Sequence, residues 1–166
     1  MQPVQTYKSL EQALTDVDFQ DGVVLEEEFF FDSSDPREWV TPVFDAYLLG
    51  IREKIPVASK PSASKILYLM GELVSNGYKH AFLKQRQPIQ AKAYIGAKGA
   101  VVGVKQQSHF LTKQQAALYA AAKPVQSTTR IPGGDGTATM FVDRDADGVF
   151  VDVDDKAVYL SRYFDR

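Results

Sequence analysis

Two short runs, "IQAKAYIG" and "AVVGVK" (residues 89–96 and 100–105), are separated only by Ala97, Lys98 and Gly99. Each has the residue pattern of a strand, and a link this short containing glycine joins strands only as an antiparallel hairpin. A hairpin this apolar needs cover from another element. The segment before it provides one. Residues 61–85 read as a helix with Ile66, Met70, Leu73, Gly77 and Ala81 on one stripe, and no other part of the chain offers a comparable apolar surface.

The remaining elements follow from periodicity and caps. Residues 8–19 read as a short helix with Leu10, Ala13, Leu14 and Val17 on one side, and 22–31 as a strand with Val23, Leu25, Phe29 and Phe31 on one face. Asp35-Pro36 has the form of an N-cap followed by proline at the first helical position. The helix expected from it runs to about Lys54, carrying Trp39, Val43, Tyr47 and Leu48. Residues 111–123 read as an alanine-rich helix with Thr112 as its N-cap, and 124–136 as a loop. "GVFVDVDDKAVYLSRYF" supplies two closing strands, Val149–Val153 and Val158–Leu160, around Asp154-Asp155. Helices mixed with closely spaced strands predict a two-layer α/β sandwich: a mixed, mostly antiparallel sheet with helices on one face. The chain reads as one domain, residues 1–21 being an N-terminal extension and 22–164 the core.

Composition narrows the function classes. The 166 residues are 45% hydrophobic and 24% charged, which suits a globular domain rather than a disordered one. A net charge of −2 argues against nucleic-acid binding by the field of the whole molecule. Without cysteine there are no thiolate metal sites, and two histidines make a zinc cluster a poor expectation. No apolar run reaches the roughly 18 residues of a membrane span, and "MQPVQTYKSLEQAL" lacks the apolar centre of a signal peptide. A soluble, cytoplasmic chain with no membrane or nucleic-acid partner is expected.

The candidate chemistry sits on the covering helix. At about 100° per residue, Glu72, Asn76, Lys79 and His80 of "GELVSNGYKHAF" share an arc of roughly 100° beside the apolar stripe. A carboxylate such as Glu72 suits a general base, and the amide oxygen of Asn76, one turn on, suits Mg²⁺. Lys79 or His80 suits phosphate oxygens, although His80 equally suits packing beside the strand layer. Farther on, "GGDGTATM" (133–140) places Gly133, Gly134 and Gly136 where backbone N–H groups could approach phosphates, ahead of a helix starting at Thr137. The β propensity of "TATMFV" works against that helix.

"GELVSNGYKHAF" resembles the N-box of the GHKL ATP-binding superfamily (sensor histidine kinases, anti-sigma factor kinases, gyrase B, MutL), and "GGDGTATM" resembles its distal glycine box. By order of elements over residues 22–164 the likeness is greatest to the small anti-sigma-factor kinases. It implies a Bergerat-type sandwich, ATP and Mg as ligands, Glu72 as base and Asn76 as Mg ligand. Lys79, His80, Gly133, Gly134, Gly136 and Thr137 would lie along the nucleotide. It also implies a regulatory role, with a protein partner phosphorylated or sequestered, ATPase or serine/threonine kinase activity, and a homodimer as one assembly. One box departs from the family. Where the family has Asp-x-Gly-x-Gly after the second central strand, this chain has Gln106, Ser108 and Phe110, with His109 between them. Gln106 can still accept a hydrogen bond from a base. The departure leaves a second expectation open, a non-catalytic interaction module on the same fold. A third comes from "DRDADGVFVDVD", which matches a calcium loop at Asp143, Asp145, Asp147, Gly148 and Phe150 but closes on Asp154 instead of glutamate. That reading needs a loop between helices; the other two need "VFVDV" in a sheet.

Overall fold

A computed structural model describes residues 4–31, 35, 38–82, 86–106, 145–152 and 154–165; at 80, 81 and 106 it describes backbone alone. In chain order the elements are β1 (Gln5–Thr6), α1 (Leu10–Asp16), β2 (Val23–Phe29), α2 (Pro42–Lys54), α3 (Lys60–Gly77), β3 (Ile89–Ile95), β4 (Gly99–Gln106), β5 (Gly148–Asp152) and β6 (Ala157–Tyr163). Among the described residues the strands form one six-stranded sheet in the order β1-β5-β6-β4-β3-β2, antiparallel except for the parallel pair β1–β5.

The hairpin is as expected. Gly96 donates its N–H to the Gly99 carbonyl at 2.9 Å, and β3 and β4 pair along their length. The turn is held from outside. Ala97 and Lys98 donate to the carbonyls of Asp18 and Val17, each at 3.0 Å, where α1 ends. A Cβ at Gly96 would lie 2.2 Å from the Val17 oxygen, so only glycine lets the two turns meet.

Alternation along the strands divides the sheet into two faces. Ala91, Ala93 and Ile95 of β3, Ala100, Val102 and Val104 of β4, Val158 and Leu160 of β6 and Val149 of β5 join the main core with α2 and α3. The opposite parity (Tyr94, Val101, Ala157, Tyr159) forms a smaller core with Tyr7, Ala13 and Val17. The two-layer α/β sandwich is therefore the fold, with an addition: α1 lies on the face opposite α2 and α3, and β1 adds a strand to the edge of the sheet. Residues 5–17 are thus built into the sheet and its second core.

Element boundaries moved in instructive places. The helix expected after Asp35-Pro36 begins at Pro42, capped by Thr41, whose Oγ1 accepts the Phe44 N–H at 3.2 Å. The same cap-then-proline signal recurs six residues on, and the later copy is used. Trp39 therefore precedes the helix. Val43 is exposed, and the buried face runs through Phe44, Tyr47 and Ile51 to Ile55 just beyond the helix. The helix expected to reach residue 85 is α-helical only to Gly77, and Tyr78–Phe82 form a π turn. Arg86, with φ of 55°, donates its N–H to the Phe82 carbonyl at 2.8 Å.

Candidate functional site

The site begins with how α3 lies on the sheet. Near its start, Ser62 Oγ donates to the Phe164 carbonyl at 2.6 Å, beyond the end of β6. Near its end, Gly77 sits against Ile89, the first residue of β3. The helix thus runs along the sheet in the direction of β4, burying Ile66, Met70, Leu73 and Gly77 as the stripe predicts and Val74 beside them, while Ala81 falls in the turn beyond, where its side chain lies outside the description. Ile89 is also the register partner of Gln106, the last residue of β4. One fully buried isoleucine therefore links the end of α3 to the strand end that carries Gln106.

On the side of α3 away from this contact, Glu72, Asn76 and Lys79 follow one another at successive turns. All three are half-buried. A solvated helix face would leave such long polar side chains exposed. The π turn alters the arc, since a wider turn advances each residue by less than the 100° of an α-helix. Tyr78, off the expected apolar stripe, is completely buried and donates its hydroxyl to the Asp35 carbonyl at 2.6 Å.

Sequence reasoning missed the aromatic wall beside this stripe. Tyr78 stacks on Phe82 at 5.6 Å and meets Phe31 edge-on at 4.7 Å, while Trp39 meets Phe44 at 5.4 Å. The Trp39 ring also lies 4.0 Å from where a Gly71 Cβ would be. The signal was present: Phe29, Phe30, Phe31, Trp39, Phe44, Tyr78 and Phe82 are a dense aromatic set for one region. Helical periodicity at 3.6 residues could not bring Tyr78 into it.

Of the expected site residues, the structure places Glu72, Asn76 and Lys79 on one face and brings the Gln106 backbone to the same end of the sheet. The side chains of His80 and Gln106 lie outside the description, as do Ser108, His109, Phe110, Gly133, Gly134, Gly136, Thr137 and the helix expected at 111–123. The calcium reading needs a loop between helices, whereas residues 148–152 are strand β5, paired along β6. Asp143 is outside the description. Asp147 accepts the Tyr163 N–H at 2.7 Å and lies 4.0 Å from Arg162 Nε, and Arg162 Nη1 donates to the Asp145 carbonyl at 3.1 Å. These groups fasten the start of β5 to β6. Among the described residues, no group of three or more His, Cys, Asp or Glu side chains could hold a metal ion.

The strongly perturbed groups are tyrosines away from the stripe. Burial raises the phenols of Tyr7, Tyr47 and Tyr94, and pushes Tyr159 up to about 12. Two of these hydroxyls are hydrogen-bonded: Tyr47 donates to the Leu25 carbonyl at 2.9 Å, and Tyr7 shares a bond of 3.0 Å with Ser161 Oγ. Among the described residues, no helix is long and apolar enough to cross a membrane. In comparison with known proteins, no family model matches the chain and no curated protein matches it, so a functional reading rests on these residues and their geometry.

Proposed function

We propose that the chain is a regulatory nucleotide-binding domain of the histidine-kinase-like, anti-sigma-factor type. It binds ATP with Mg²⁺ along the polar stripe of α3, then hydrolyses it or transfers its terminal phosphate to a hydroxyl of a protein partner. The observation that carries this reading is the half-burial of Glu72, Asn76 and Lys79 on successive turns, at the end of the sheet where β4 delivers Gln106.

The donor set fits Mg²⁺ in one manner. Asn76 offers an amide oxygen to the ion, with the Glu72 carboxylate one turn before it left to act as base. One such ligand does not make a closed cage, and Mg²⁺ habitually takes its other ligands from phosphates and water. When bound it would supply neutralisation of phosphate charge. The chain's own groups do the rest. Asn76 would hold the metal through its amide oxygen, Lys79 would set an ammonium against phosphate oxygens, and Glu72 would accept the proton of the attacking water or hydroxyl. Gln106 offers a carbonyl acceptor to the base in place of a carboxylate.

Titration calorimetry with ATP and Mg²⁺, against ADP, GTP and metal-free controls, tests the proposal. Saturable binding that requires the metal supports it. Absence of heat with every nucleotide at millimolar concentration overturns it. That result would favour the second reading, a non-catalytic interaction module of the same fold, for which the observation is that β4 ends in Gln106 rather than in a carboxylate.

A further inference from the structure

The edge strand β2 carries an inference independent of the nucleotide reading. Among the described residues, β2 has a neighbour on one side only. Because Gly96 and Gly99 form a hydrogen-bonded pair, the alternation aims the backbone of residues 90, 92 and 94 at β4 and that of 89, 91, 93 and 95 at β2. Their register partners Val23, Leu25, Glu27 and Phe29 are satisfied on β3. The N–H and C=O groups of Val24, Glu26 and Glu28 therefore point outward. Among the described residues, the Glu28 N–H donates to the Glu27 carboxylate at 3.3 Å.

Beside this edge lies a groove of about 490 Å³ between β2 and α2, whose lining includes Leu25, Glu27, Val43, Ala46 and Gly50. Val43 is 53% exposed, and nothing lies within 4 Å of where a Gly50 Cβ would be. Of the α2 residues lining the groove, Ala46 and Gly50 are small and Tyr47 is buried beneath them, which leaves room for side chains of an added strand. On the other face of the sheet stand Glu26 and Glu28. Glu26 lies 3.5 Å from Lys92 with most of its side chain exposed, and Glu28 accepts from Gln90 at 3.1 Å. An added strand would thus send alternate side chains into an apolar groove and alongside two carboxylates.

We propose that the outer edge of β2 receives an extended peptide as a seventh strand, with apolar residues in the β2–α2 groove alternating with lysine or arginine beside Glu26 and Glu28. Backbone pairing supplies affinity, and the two unlike faces supply register and specificity. A second copy of this chain is a poorer occupant, because pairing β2 with itself sets glutamates against glutamates.

The test is fluorescence anisotropy of a dye-labelled heptapeptide of alternating lysine and valine against the full chain, combined with amide hydrogen exchange. The expected result is saturable binding that slows exchange at the Val24 and Glu26 amides. An alternating glutamate–valine peptide, and a block peptide of the same lysines followed by the same valines, should bind at least about tenfold more weakly. Val24→Pro should lose about tenfold in affinity yet melt near the wild type, since the Val24 N–H lies outside the β2–β3 ladder. Gly50→Leu, which fills the groove and favours the helix, should lose affinity comparably and covers the case in which Val24→Pro does not fold. Failure of the lysine–valine peptide to bind, equal affinity for the block peptide, or unchanged exchange at Val24 and Glu26 would each overturn the proposal. So would self-association abolished by Val24→Pro, which gives the edge to a second copy.

Discussion

Gly77 and Ile89 are in contact so close that a Cβ added to the glycine would lie 3.1 Å from Ile89 Cδ1 and 3.3 Å from two further carbons of the same side chain. Ile89 is fully buried and has little room to yield. Gly77→Ala should therefore destabilise the protein by about 1 kcal/mol: overpacking costs of roughly 1–3 kcal/mol exceed the helix-propensity gain of alanine over glycine. Ile89→Val alone should also destabilise, but combined with Gly77→Ala it should cost less than the sum. Urea melts of the four proteins of this cycle check it, and strict additivity would mean that the contact does not set how α3 lies on the sheet.

That contact also marks how far the fold was legible in the sequence. The 3.6-residue stripe placed Ile66, Met70, Leu73 and Gly77 on the sheet, and the short Ala97-Lys98-Gly99 link fixed the hairpin, because both signals are local and strong. The start of α2 was not legible, since Asp35-Pro36 and Thr41-Pro42 carry the same capping signal and only tertiary packing of Phe44 and Tyr47 selects between them. The helix at α1 was legible from Leu10, Ala13, Leu14 and Val17, but β1 was not, because a two-residue strand leaves no periodic trace, and no local signal tells which face of the sheet a seven-residue helix covers. In the site, the one-turn spacing of Glu72 and Asn76 on α3 was legible, while Lys79 falls in the π turn beyond it. The aromatic wall was not, because the π turn at Tyr78 breaks the periodicity on which the arc was built.

Calcium should leave the melting temperature unchanged, whereas Asp147→Ala should lower stability by about 3 kcal/mol. Asp147 accepts the Tyr163 N–H and faces Arg162, whose side chain is 7% exposed. Removing one member of a buried charge pair strands the other. Micromolar calcium binding would stabilise by roughly 2.7 kcal/mol at a hundredfold excess over its dissociation constant, a shift that thermal melts resolve. An upward shift abolished in Asp145→Ala would restore the calcium reading.

Stability should fall as pH rises from about 10 to 12. The Tyr159 phenol ionises near 10 in the unfolded chain and is pushed up to about 12 in the fold by burial, with Tyr94 and the Asp155 and Asp152 carboxylates adding to the effect. A raised folded value means that its stabilisation is complete below the unfolded value and is lost as pH climbs through the folded one. The difference corresponds to on the order of 2–3 kcal/mol. Tyr7, Tyr47 and Tyr94 are raised as well and steepen the fall. Denaturant melts across this range, with phenolate absorbance followed in parallel, should show the loss, and Tyr159→Phe should flatten it. An unchanged slope in that variant would mean that Tyr159 is not held neutral by the fold.

The polar stripe of α3 should divide its labour between binding and turnover. Asn76→Ala should weaken binding of Mg-nucleotide by about tenfold, because the amide oxygen acts on the ground-state complex. Glu72→Gln should leave binding within a few-fold and lower turnover by roughly 10²-fold or more, since proton acceptance matters only during reaction. Gln106→Asp should strengthen discrimination for adenine over guanine by restoring the carboxylate that the resemblance expects at the end of β4. Half-burial of Glu72 and Asn76 makes folding a control that must be run, by circular dichroism and thermal melts of each variant. If Asn76→Ala and Glu72→Gln affect binding equally and turnover equally, the stripe does not act as a metal ligand and a base, and its burial belongs to packing alone.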